Sequence, residues 1–561
     1  MANLSQQKRQ RMLEFIDKIK EEHKDDDEML IALGEIENEL NSKKYGLVWE
    51  QHEEAVDVMM KDNIPVFTEC LDKEIVSDDS GNFNFLLEGD NLHSLKLLEK
   101  THAGKVDVIY IDPPYNTGKK DDFVYDDNYI VKEDGYRHSK WLSFMQERLL
   151  VASSLLTSSG IILISIDDNE YANLKILCDE IFGETRYVTT LIWQKKTGAS
   201  DAKGIATITE YILVYCVNNF FENSFSKNTQ SYDLKRYRYK DEFIDSRGPY
   251  YIDNLDRGGL SYSDSLNYGI ECPDGTITYP NGRTEYLNDG WIWKWGKEKI
   301  QWALENEFVE FRKTNKKKSG WAVCYKNYLN VNNENKPIER SAPHKNLIVD
   351  VLNANATANI KEIFGGSSVF KYSKPVELIK KIISYSNKKD ALVLDFFAGS
   401  GTTGHAVLKL NQEDGGNRKF ILCTNNENNI CEEITYERIK RVINGYGDVE
   451  GIPANLKYYR TDFVSKDSED VSDELLKHIK EMIQLEHGIQ VDGSKYLILL
   501  TDEDADELEH KWDEYSEIKT LYVSRNVLFT SKQNALFANV NIHIIPDDYF
   551  KFELHEVGEA W

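Results

Sequence analysis

The chain has 561 residues, enough for about three domains of ordinary size, and carries a formal net charge of −27. Its 7 cysteines include no C-x-x-C pair, which argues against a zinc cluster or a disulfide framework and favours a cytoplasmic protein with reduced thiols. No segment approaches the roughly 20 apolar residues of a membrane span, and the first residues lack the apolar core of a signal peptide, so we expect a soluble protein without a membrane partner.

Residues 1–80 are predicted to form a helical N-terminal region. Within it, 12–19 and 29–40 each carry apolar residues at helical spacing on an otherwise charged segment. Such narrow apolar stripes suit helix pairing. The sequence leaves open whether the partner lies in the same chain or in another subunit.

Residues 81–219 alternate between strand-like and helix-like segments, as an α/β domain does. Apolar runs predict strands at 84–90, 106–111, 161–166, 187–193 and 210–217. Helical spacing of apolar residues predicts helices at 141–156 and 169–182, each ending shortly before a glycine.

The strand predicted at 106–111 is followed directly by Asp112-Pro113-Pro114-Tyr115. Two prolines fix the backbone near a φ of about −65° and remove two amide donors, so carbonyl oxygens at the strand end are free to accept hydrogen bonds. A carboxylate beside a carbonyl can accept both hydrogens of an exocyclic amine, while a phenol ring can stack on the base that carries it. We interpret these four residues as candidate catalytic groups for chemistry at adenine N6. An ordinary Pro-Pro turn is the alternative.

Residues 220–345 are predicted to be an insert that binds DNA. Basic residues cluster at 235–240 and 312–318, and tryptophans recur between 291 and 321. Because DNA binding depends largely on phosphate neutralisation, the nearly balanced charge of this segment favours it over the acidic remainder as the DNA contact. Solvated charges and packed tryptophans are the alternative interpretation.

A second constellation lies in residues 346–450, where an apolar run enters Asp395 and a glycine loop with Gly399, Gly401 and Gly404. A strand, a glycine loop and a helix in this order allow close approach of a ligand to unpaired amides. The spacing also fits the G-x-G-x-x-G fingerprint of a nicotinamide dehydrogenase. That alternative lacks the acidic residue expected at the end of the next strand, about 20 residues on, where 419–424 is followed by Asn425.

Lys374-Pro375 begins a predicted helix that precedes the glycine-loop strand. With this third element the chain resembles an S-adenosylmethionine-dependent DNA amino-methyltransferase of the β order, in which the D-P-P-Y motif precedes the recognition region and the cofactor loop. The resemblance implies an α/β fold with a circularly permuted, Rossmann-like methyltransferase sheet and an inserted target-recognition domain. The strand entering Asp395 would be first, 419–424 second, 84–90 third and 106–111 fourth.

The resemblance also assigns the site. Asp112, Pro113, Pro114 and Tyr115 would be catalytic, and Asp90 would accept from the cofactor's adenine amine. Asn425 or Glu427 would meet its ribose, and no metal is required. The remaining residues expected to bind S-adenosylmethionine, besides Asp112, are Lys374, Pro375, Asp395, Phe396, Phe397, Ala398, Gly399, Ser400, Gly401, Thr402 and Thr403.

The segments 45–50, 87–95, 112–118 and 431–439 resemble more narrowly the modification (Mod) subunits of Type III restriction-modification systems. This implies a site-specific adenine-N6 methyltransferase that flips its target base out of double-stranded DNA, forms a homodimer and serves a separate helicase-nuclease (Res) subunit. The chain has no G-x-x-x-x-G-K-[ST] phosphate loop, so ATP-driven translocation is not assigned to it. The alternatives are an orphan methyltransferase and a methylation-silent specificity subunit.

Residues 451–561 are predicted to be a small α/β domain for dimerisation or docking. Helical spacing at 473–485 and apolar runs at 496–500 and 540–545 support this prediction. The segment contains no catalytic constellation.

Overall fold

The computed structural model describes residues 4–24, 27–41, 49, 51–118, 136–198, 204–218, 224–229, 232–259, 261–367, 369–370, 373–491, 493–515 and 517–559. They form two compact units, one built from residues up to 225 and from 345 onward, the other from 226 to 344. Of the segment 45–50, which resembles the Mod subunits, all residues but 49 lie outside the described part of the chain. Among those described, no helix is both long and apolar enough to cross a membrane.

The helices of the described residues are, in chain order, α1 (Leu4–Glu22), α2 (Asp27–Asn41), α3 (Ala55–Asp62), α4 (Asn91–His102), α5 (Arg137–Leu155), α6 (Tyr171–Cys178), α7 (Ile244–Arg247), α8 (Lys297–Glu305), α9 (Ala354–Ile363), α10 (Val376–Ile383), α11 (Thr402–Asp414), α12 (Glu437–Asn444), α13 (Val471–Leu476), α14 (Ile479–His487), α15 (Asp502–His510), α16 (Ser531–Leu536) and α17 (Asp547–Glu556).

The strands are β1 (Asn63–Glu69), β2 (Asn84–Glu88), β3 (Val106–Ile111), β4 (Leu156–Ile166), β5 (Tyr187–Gln194), β6 (Thr209–Cys216), β7 (Tyr250–Asn254), β8 (Asp256–Arg257), β9 (Ile270–Glu271), β10 (Ile277–Thr278), β11 (Ile292–Trp293), β12 (Val309–Lys313), β13 (Trp321–Tyr328), β14 (Leu347–Ile348), β15 (Leu392–Asp395), β16 (Lys419–Thr424), β17 (Leu456–Ser465), β18 (Tyr496–Leu499), β19 (Thr520–Ser524) and β20 (Asn541–Ile545).

The first unit is built on one large sheet with the strand order β1-β17-β2-β16-β15-β3-β4-β6-β5-β14. The glycine-loop strand β15 lies in parallel between β16 and β3, and β16 pairs in parallel with β2. The predicted α/β fold with a large central sheet is therefore confirmed, and the four strands named above are neighbours in the sheet. That this connectivity is a circular permutation stays a prediction.

Both faces of the central sheet are covered, because its strands are continuous apolar runs whose side chains alternate between two cores. Ile109 and Ile111 of β3 pack with the helices α4, α5 and α6 on one face. Val108 and Tyr110 of the same strand pack with α10, α11 and α12 on the other. The sheet, packed between these two layers of helices, holds the carboxyl ends of β3 and β15 side by side.

Two strands from outside the segments predicted to form the methyltransferase domain join the central sheet. The strand β1 lies within the region predicted to be helical, and it pairs antiparallel with β17 from the predicted C-terminal domain. The strand β17 in turn pairs in parallel with β2, so both strands extend the central sheet. The strand β1 was not predicted, because its apolar run is short and is interrupted by Pro65. Further on, the helix predicted at 473–485 is two helices, α13 and α14.

The last part of the chain folds as a three-stranded parallel sheet, β18-β19-β20. The helix α17 that follows it contributes Phe550 and Leu554 to the same core as α4. This α/β character agrees with the sequence pattern. The role in dimerisation or docking stays a prediction.

The second unit, 226–344, falls inside the predicted insert and contains the antiparallel sheet β12-β13-β7. Trp293 and Trp295 are buried in its core, and Trp321 is 8% exposed. Packing therefore accounts for these tryptophans. The basic side chains at 235, 236, 238 and 240 are exposed, as are those at 312, 313, 316 and 318.

Candidate active site

A cavity of about 750 Å³ lies in the first unit where β3, β15 and β16 end, a size typical of ligand pockets. The carboxyl ends of parallel strands meet at one edge of a sheet, so residues far apart in sequence converge there. The predicted site residues that line the cavity are Asp112, Pro113, Pro114, Tyr115, Lys374, Asp395, Phe397, Ala398, Gly399, Ser400, Thr402 and Thr403.

Hydrogen bonds from neighbouring elements fix the turn that follows β3. Trp141 of α5 donates its indole N–H to the carbonyl of Pro114 over 2.7 Å. Asn116 adopts a left-handed backbone conformation with φ of 55° and donates its side-chain amide to Glu170. Within the described part of the chain, the carbonyl of Pro113 receives no hydrogen bond. It is therefore available to accept one from a ligand.

Glu170 is a buried carboxylate that anchors this turn. Besides Asn116, it accepts a hydrogen bond from Asn173 over 2.7 Å, and its other oxygen lies 2.6 Å from Nδ1 of His138. A buried carboxylate needs such partners to offset its loss of hydration. No pattern in the sequence indicated this role, since Glu170 lies in a polar stretch before α6.

The carboxylate of Asp112 is paired with the ammonium group of Lys374. The lysine nitrogen donates to both Asp112 oxygens, each over 2.7 Å, and to the phenol oxygen of Tyr115 over 2.8 Å. The Tyr115 hydroxyl donates to Asp112 over 2.8 Å. These contacts join Lys374 to the turn Asp112–Tyr115, whereas the resemblance implied a position over the cofactor. That implied contact stays a prediction.

Glu210 completes the charged cluster and was not predicted. Its carboxylate lies 3.6 Å from the Lys374 nitrogen and accepts a hydrogen bond from Lys195 over 3.0 Å. A signal for it existed in the sequence. Glu210 begins an apolar run that is typical of a closing strand, and because β6 is antiparallel to β4, its start lies at the edge where β4 ends.

The charges of the cluster stabilise one another. Burial acts to lower the pKa of Lys374, but the carboxylates of Asp112 and Glu210 outweigh it, so this pKa is raised and the lysine stays protonated. Burial acts to raise the pKa of Glu210, and Lys374 with Lys195 outweighs it, so this pKa is lowered. The pKa of Tyr115 is raised well above its ordinary value by burial and by Asp112. The phenol therefore keeps its proton.

The glycine loop needs glycine at specific positions. Gly399 and Gly401 have φ of 48° and 73°, a region that favours glycine. A Cβ atom on Gly404 would lie 2.8 Å from Ile439, so α11 approaches α12 and β16 closely there. Gly401 precedes the first residue of α11, whose amino terminus opens at the cavity.

Asp395 is a buried carboxylate at the base of the loop. It accepts hydrogen bonds from the Phe397 amide over 3.0 Å and from the Thr403 hydroxyl. Burial raises its pKa to about 7, because these two bonds do not offset the lost hydration and the charge of Asp112 acts in the same direction as burial. A cationic ligand group in the cavity would stabilise its charged form.

The predicted residues that do not line the cavity are Asp90, Pro375, Phe396, Gly401 and Asn425. Asp90 caps α4 and accepts a hydrogen bond from the Leu92 amide over 2.7 Å. Phe396 is fully buried, and Pro375 precedes α10. Their proposed contacts with the cofactor stay predictions, as does the choice between Asn425 and Glu427.

The residues present fit a nucleoside cofactor that carries an amino acid. Asp395 offers a carboxylate for an ammonium group, and the glycine loop leads into a helix amino terminus suited to an anion. Thr424, at the end of β16, lines the cavity with a buried hydroxyl that has no partner among the described residues. Thr424 was not among the predicted site residues.

Residues 106–437, more than half of the chain, match the family model described as DNA methylase. The chain belongs to this DNA methylase family. The matched range includes the proline turn, the insert and the glycine loop, so every element of the charged cluster lies within it.

This DNA methylase is similar to a Type III restriction-modification subunit and to a Type II methyltransferase. It is 34% identical over 450 residues to the Type III restriction-modification enzyme StyLTI Mod subunit of Salmonella typhimurium, a match that covers 71% of this chain and 63% of that protein. It is 36% identical over 376 residues to the Type II methyltransferase M.KpnI of Klebsiella pneumoniae, covering 62% of this chain and 82% of that protein. The chain thus spans less than two thirds of StyLTI Mod.

Solved structures of DNA methyltransferases also match the methylase. The complex of M1.HpyAVI with SAM is 14% identical with a TM-score of 0.30, covering 63% of this chain and 97% of that one. The putative DNA modification methylase TTHA0409 from Thermus thermophilus, complexed with S-adenosyl-L-methionine, is 13% identical with a TM-score of 0.30, covering 67% of this chain and 97% of that one.

Proposed function

We propose that the chain is a site-specific DNA adenine-N6 methyltransferase and the modification subunit of a Type III restriction-modification system. The observation that carries this proposal is one cavity with two kinds of wall. Asp112 and Pro113 form an acceptor pair on one side, and the glycine loop from Ala398 to Thr403 lies on the other. Such a cavity suits an exocyclic amine facing a methyl donor.

S-adenosylmethionine, when bound, would supply an electrophilic methyl group. The residues of the chain contribute by holding the target amine in position for the transfer. The Asp112 carboxylate and the Pro113 carbonyl accept the two N6 hydrogens, which draws the nitrogen toward tetrahedral geometry and exposes its lone pair. Lys374 holds the Asp112 carboxylate in one orientation by donating to both of its oxygens. Preorganised acceptors of this kind stabilise the positive charge that develops on nitrogen as it takes the methyl group, and the cationic nitrogen then releases one of its two protons.

The adenine has to leave the duplex to reach this cavity, because N6 is not accessible to such a pocket inside stacked base pairs. Tyr115, with its ring at the cavity wall, would stack on the extruded base. Before substrate binds, its hydroxyl is held by Asp112 and Lys374. The tyrosine is therefore positioned before the base arrives.

We assign the main DNA contact to the second unit, 226–344, which lies inside the predicted insert 220–345. Its two basic segments meet in space, since the Arg312 guanidinium lies 5.2 Å from the centre of the Tyr239 ring. The basic side chains around both residues are exposed. A surface of this charge suits the phosphate backbone.

A salt titration tests the DNA contact. Replacing Lys316 and Lys318 together by alanine should weaken DNA binding and reduce the slope of log affinity against log salt by about 1 for each phosphate that the protein no longer neutralises. Lys336→Ala is a matched control, because Lys336 lies in the same unit but is paired with Glu334 over 2.8 Å. An unchanged slope in the double variant would exclude this surface.

The Type III assignment rests on similarity to the StyLTI and EcoPI Mod subunits, the latter 32% identical. We propose accordingly a cytoplasmic homodimer that serves a helicase-nuclease (Res) subunit. A stand-alone methyltransferase is the second candidate, favoured by the similarity to M.KpnI over 82% of that protein. Purification of the tagged chain from its native host separates the two, since a stoichiometric ATP-dependent nuclease should accompany only a Type III subunit.

Methyl transfer tests the activity directly. The protein is incubated with labelled S-adenosylmethionine and mixed-sequence DNA, and the DNA is hydrolysed to nucleosides. Label should appear on adenine N6 and disappear in Asp112→Ala. Label on cytosine, or binding of both ligands without transfer, would overturn the assignment and in the second case favour a methylation-silent specificity subunit.

A further inference from the structure

The mouth of the cavity lies where β5 ends and α9 begins. Among the described residues that line the cavity, the exposed ones are Lys196, Thr197, Asn353 and Ala354. The rest of the described lining is buried or half-buried. A base that enters the cavity from solvent therefore passes these four residues, and the lysine is the charged one among them.

Hydrogen bonds fix the backbone at this mouth. The Asn353 amide donates to the carbonyl of Lys195 over 2.8 Å, and the Lys195 amide donates to the carbonyl of Ile208 over 2.9 Å. The side-chain amide of Gln194 donates to the carbonyl of Lys196 over 3.3 Å. The segment that carries Lys196 is thus bonded on both sides. Its ammonium group is held at the entrance by a fixed backbone, and only the side chain rotates.

The charged groups of the described lining are mostly paired with one another. They are four carboxylates and three lysines, namely Asp112, Asp167, Glu210, Asp395, Lys195, Lys196 and Lys374. Lys374 pairs with Asp112 over 2.7 Å. Lys195 pairs with Glu210 over 3.0 Å. Lys196 forms no ion pair with any residue that the structure describes, so its charge is available to a ligand.

A flipped adenine would bring part of the DNA backbone to this mouth. Rotation of a nucleotide out of the duplex moves its base into a pocket, while the two phosphates that flank it stay in the strand. These phosphates remain near the entrance. The carboxylates behind the mouth repel them unless a cation lies between. A lysine at the entrance supplies that cation as a compact point charge.

We propose that Lys196 binds a DNA phosphate next to the flipped adenine, with the Thr197 hydroxyl and the Asn353 side-chain amide as neutral donors beside it. The inference rests on the proposed function for the flipped adenine. The site belongs to the first unit, whereas the main DNA contact was assigned to the second. A phosphate contact carries no sequence information, but it fixes where the backbone stops and hence how far the base reaches toward Asp112.

A double-mutant cycle between the lysine and the phosphate tests this contact. Sequencing of DNA methylated by the wild-type protein gives the target site, and duplexes of that site are made with a neutral methylphosphonate on the 5′ or the 3′ side of the target adenine. For one of the two, kcat/KM of the wild-type protein should fall by about 3-fold to 10-fold, as for one charge-assisted contact at an exposed site. The two duplexes thereby show which phosphate is bound.

The variant Lys196→Met should lose about the same factor of 3-fold to 10-fold on the unmodified duplex and nothing further on the sensitive methylphosphonate duplex. Lys196→Arg keeps the charge and should retain the methylphosphonate effect. The matched control is Lys361→Met, because Lys361 is an exposed lysine near the far end of α9 that does not line the cavity. It should behave as the wild type on every duplex.

Two results would overturn the inference alone. One is a wild-type protein with equal kcat/KM on all the duplexes, and the other is a full methylphosphonate loss that persists in Lys196→Met. A wild-type protein that transfers no methyl group to any adenine would overturn the proposed function itself.

Discussion

Replacing Lys374 by methionine removes the only ammonium group that contacts Asp112 among the described residues. The variant keeps the length and apolar stem of the side chain, so the cavity wall stays packed. It leaves the carboxylates of Asp112 and Glu210 in one cluster without the cation that holds both, at 2.7 Å and 3.6 Å respectively. Two like charges in a partly buried site disfavour each other's ionisation.

The size of the effect follows from the geometry. At about 3 Å and an effective dielectric constant of about 20, one ion pair is worth about 5 kcal/mol before the cost of desolvation. Water entering the site and the remaining Lys195 will offset much of this. Since about 1.4 kcal/mol corresponds to one pKa unit, the acidic limb of the rate profile should move to higher pH by about one unit or more.

Stability should change with pH in a defined direction. The pKa of Glu210 is lowered in the folded protein, although burial alone would raise it, because Lys374 and Lys195 lie beside it. A lowered pKa gives stability that is present above the unfolded-state value of about 4.3 and is lost as the pH falls through the folded value. Removing Lys374 weakens this contribution, so Lys374→Met should lose stability at neutral pH and less of it in acid.

The assay is single-turnover transfer of labelled methyl groups to DNA between about pH 5 and about pH 9, a range that spans the expected shift. The double variant Lys374→Met with Glu210→Gln is the control, because it removes the repelling carboxylate together with the lysine. Its acidic limb should return toward that of the wild type. A Lys374→Met profile that coincides with the wild-type profile would refute the role assigned to the lysine.

Three further substitutions probe separate parts of the site. Asp112→Asn keeps the shape of the acceptor but not its charge, so it should slow methyl transfer by about 10²–10³-fold while calorimetry shows that S-adenosylhomocysteine still binds. Transfer within about 10-fold of the wild-type rate would contradict the acceptor role. Glu170→Ala removes the buried acceptor beneath the proline turn and should lower the free energy of unfolding, measured in urea, by about 2–3 kcal/mol. The control Glu184→Ala changes an exposed residue and should leave the free energy of unfolding unchanged. An equal decrease in both variants would contradict the anchoring role of Glu170. Gly404→Ala places a Cβ 2.8 Å from a side chain of α12 and should lower the free energy of unfolding by about 1–3 kcal/mol. The control Gly34→Ala has open space around its Cβ and should raise the free energy of unfolding by up to about 1 kcal/mol. An unchanged free energy of unfolding in Gly404→Ala would contradict the close packing of α11.

The strands of the central sheet could be predicted because they are buried on both faces. The predicted strand 419–424 has the bounds of β16, and 106–111 has those of β3. Continuous apolar runs of this length leave little ambiguity once glycines and prolines end them. The strand β1 was missed, since its apolar run is short and contains a proline and its pairing partner lies near the other end of the chain.

The chemistry of the site was only partly predictable. The motif residues Asp112 and Gly399 carry local signals, a proline turn and a glycine loop, that are visible in a single sequence. The partners of these residues carry none. That Lys374 meets Glu210, or that Arg438 lies beneath Ser400, depends on the order in which distant strands are arranged in the sheet. Single-sequence periodicity contains no information on such contacts.

The pairing of β17 with both β1 and β2 has a practical consequence for shortened forms of the protein. A fragment cut at residues 81 and 450 would contain the family match at 106–437, yet it would lack β17, which pairs with β2, and β1, which pairs with β17. The backbone of β2 would then become an exposed edge flanked by fully apolar positions such as Leu86 and Leu87, which favours association between molecules. Residues 63–69 and 456–465 are therefore needed for a fragment that stays monodisperse, although neither segment lines the candidate active site.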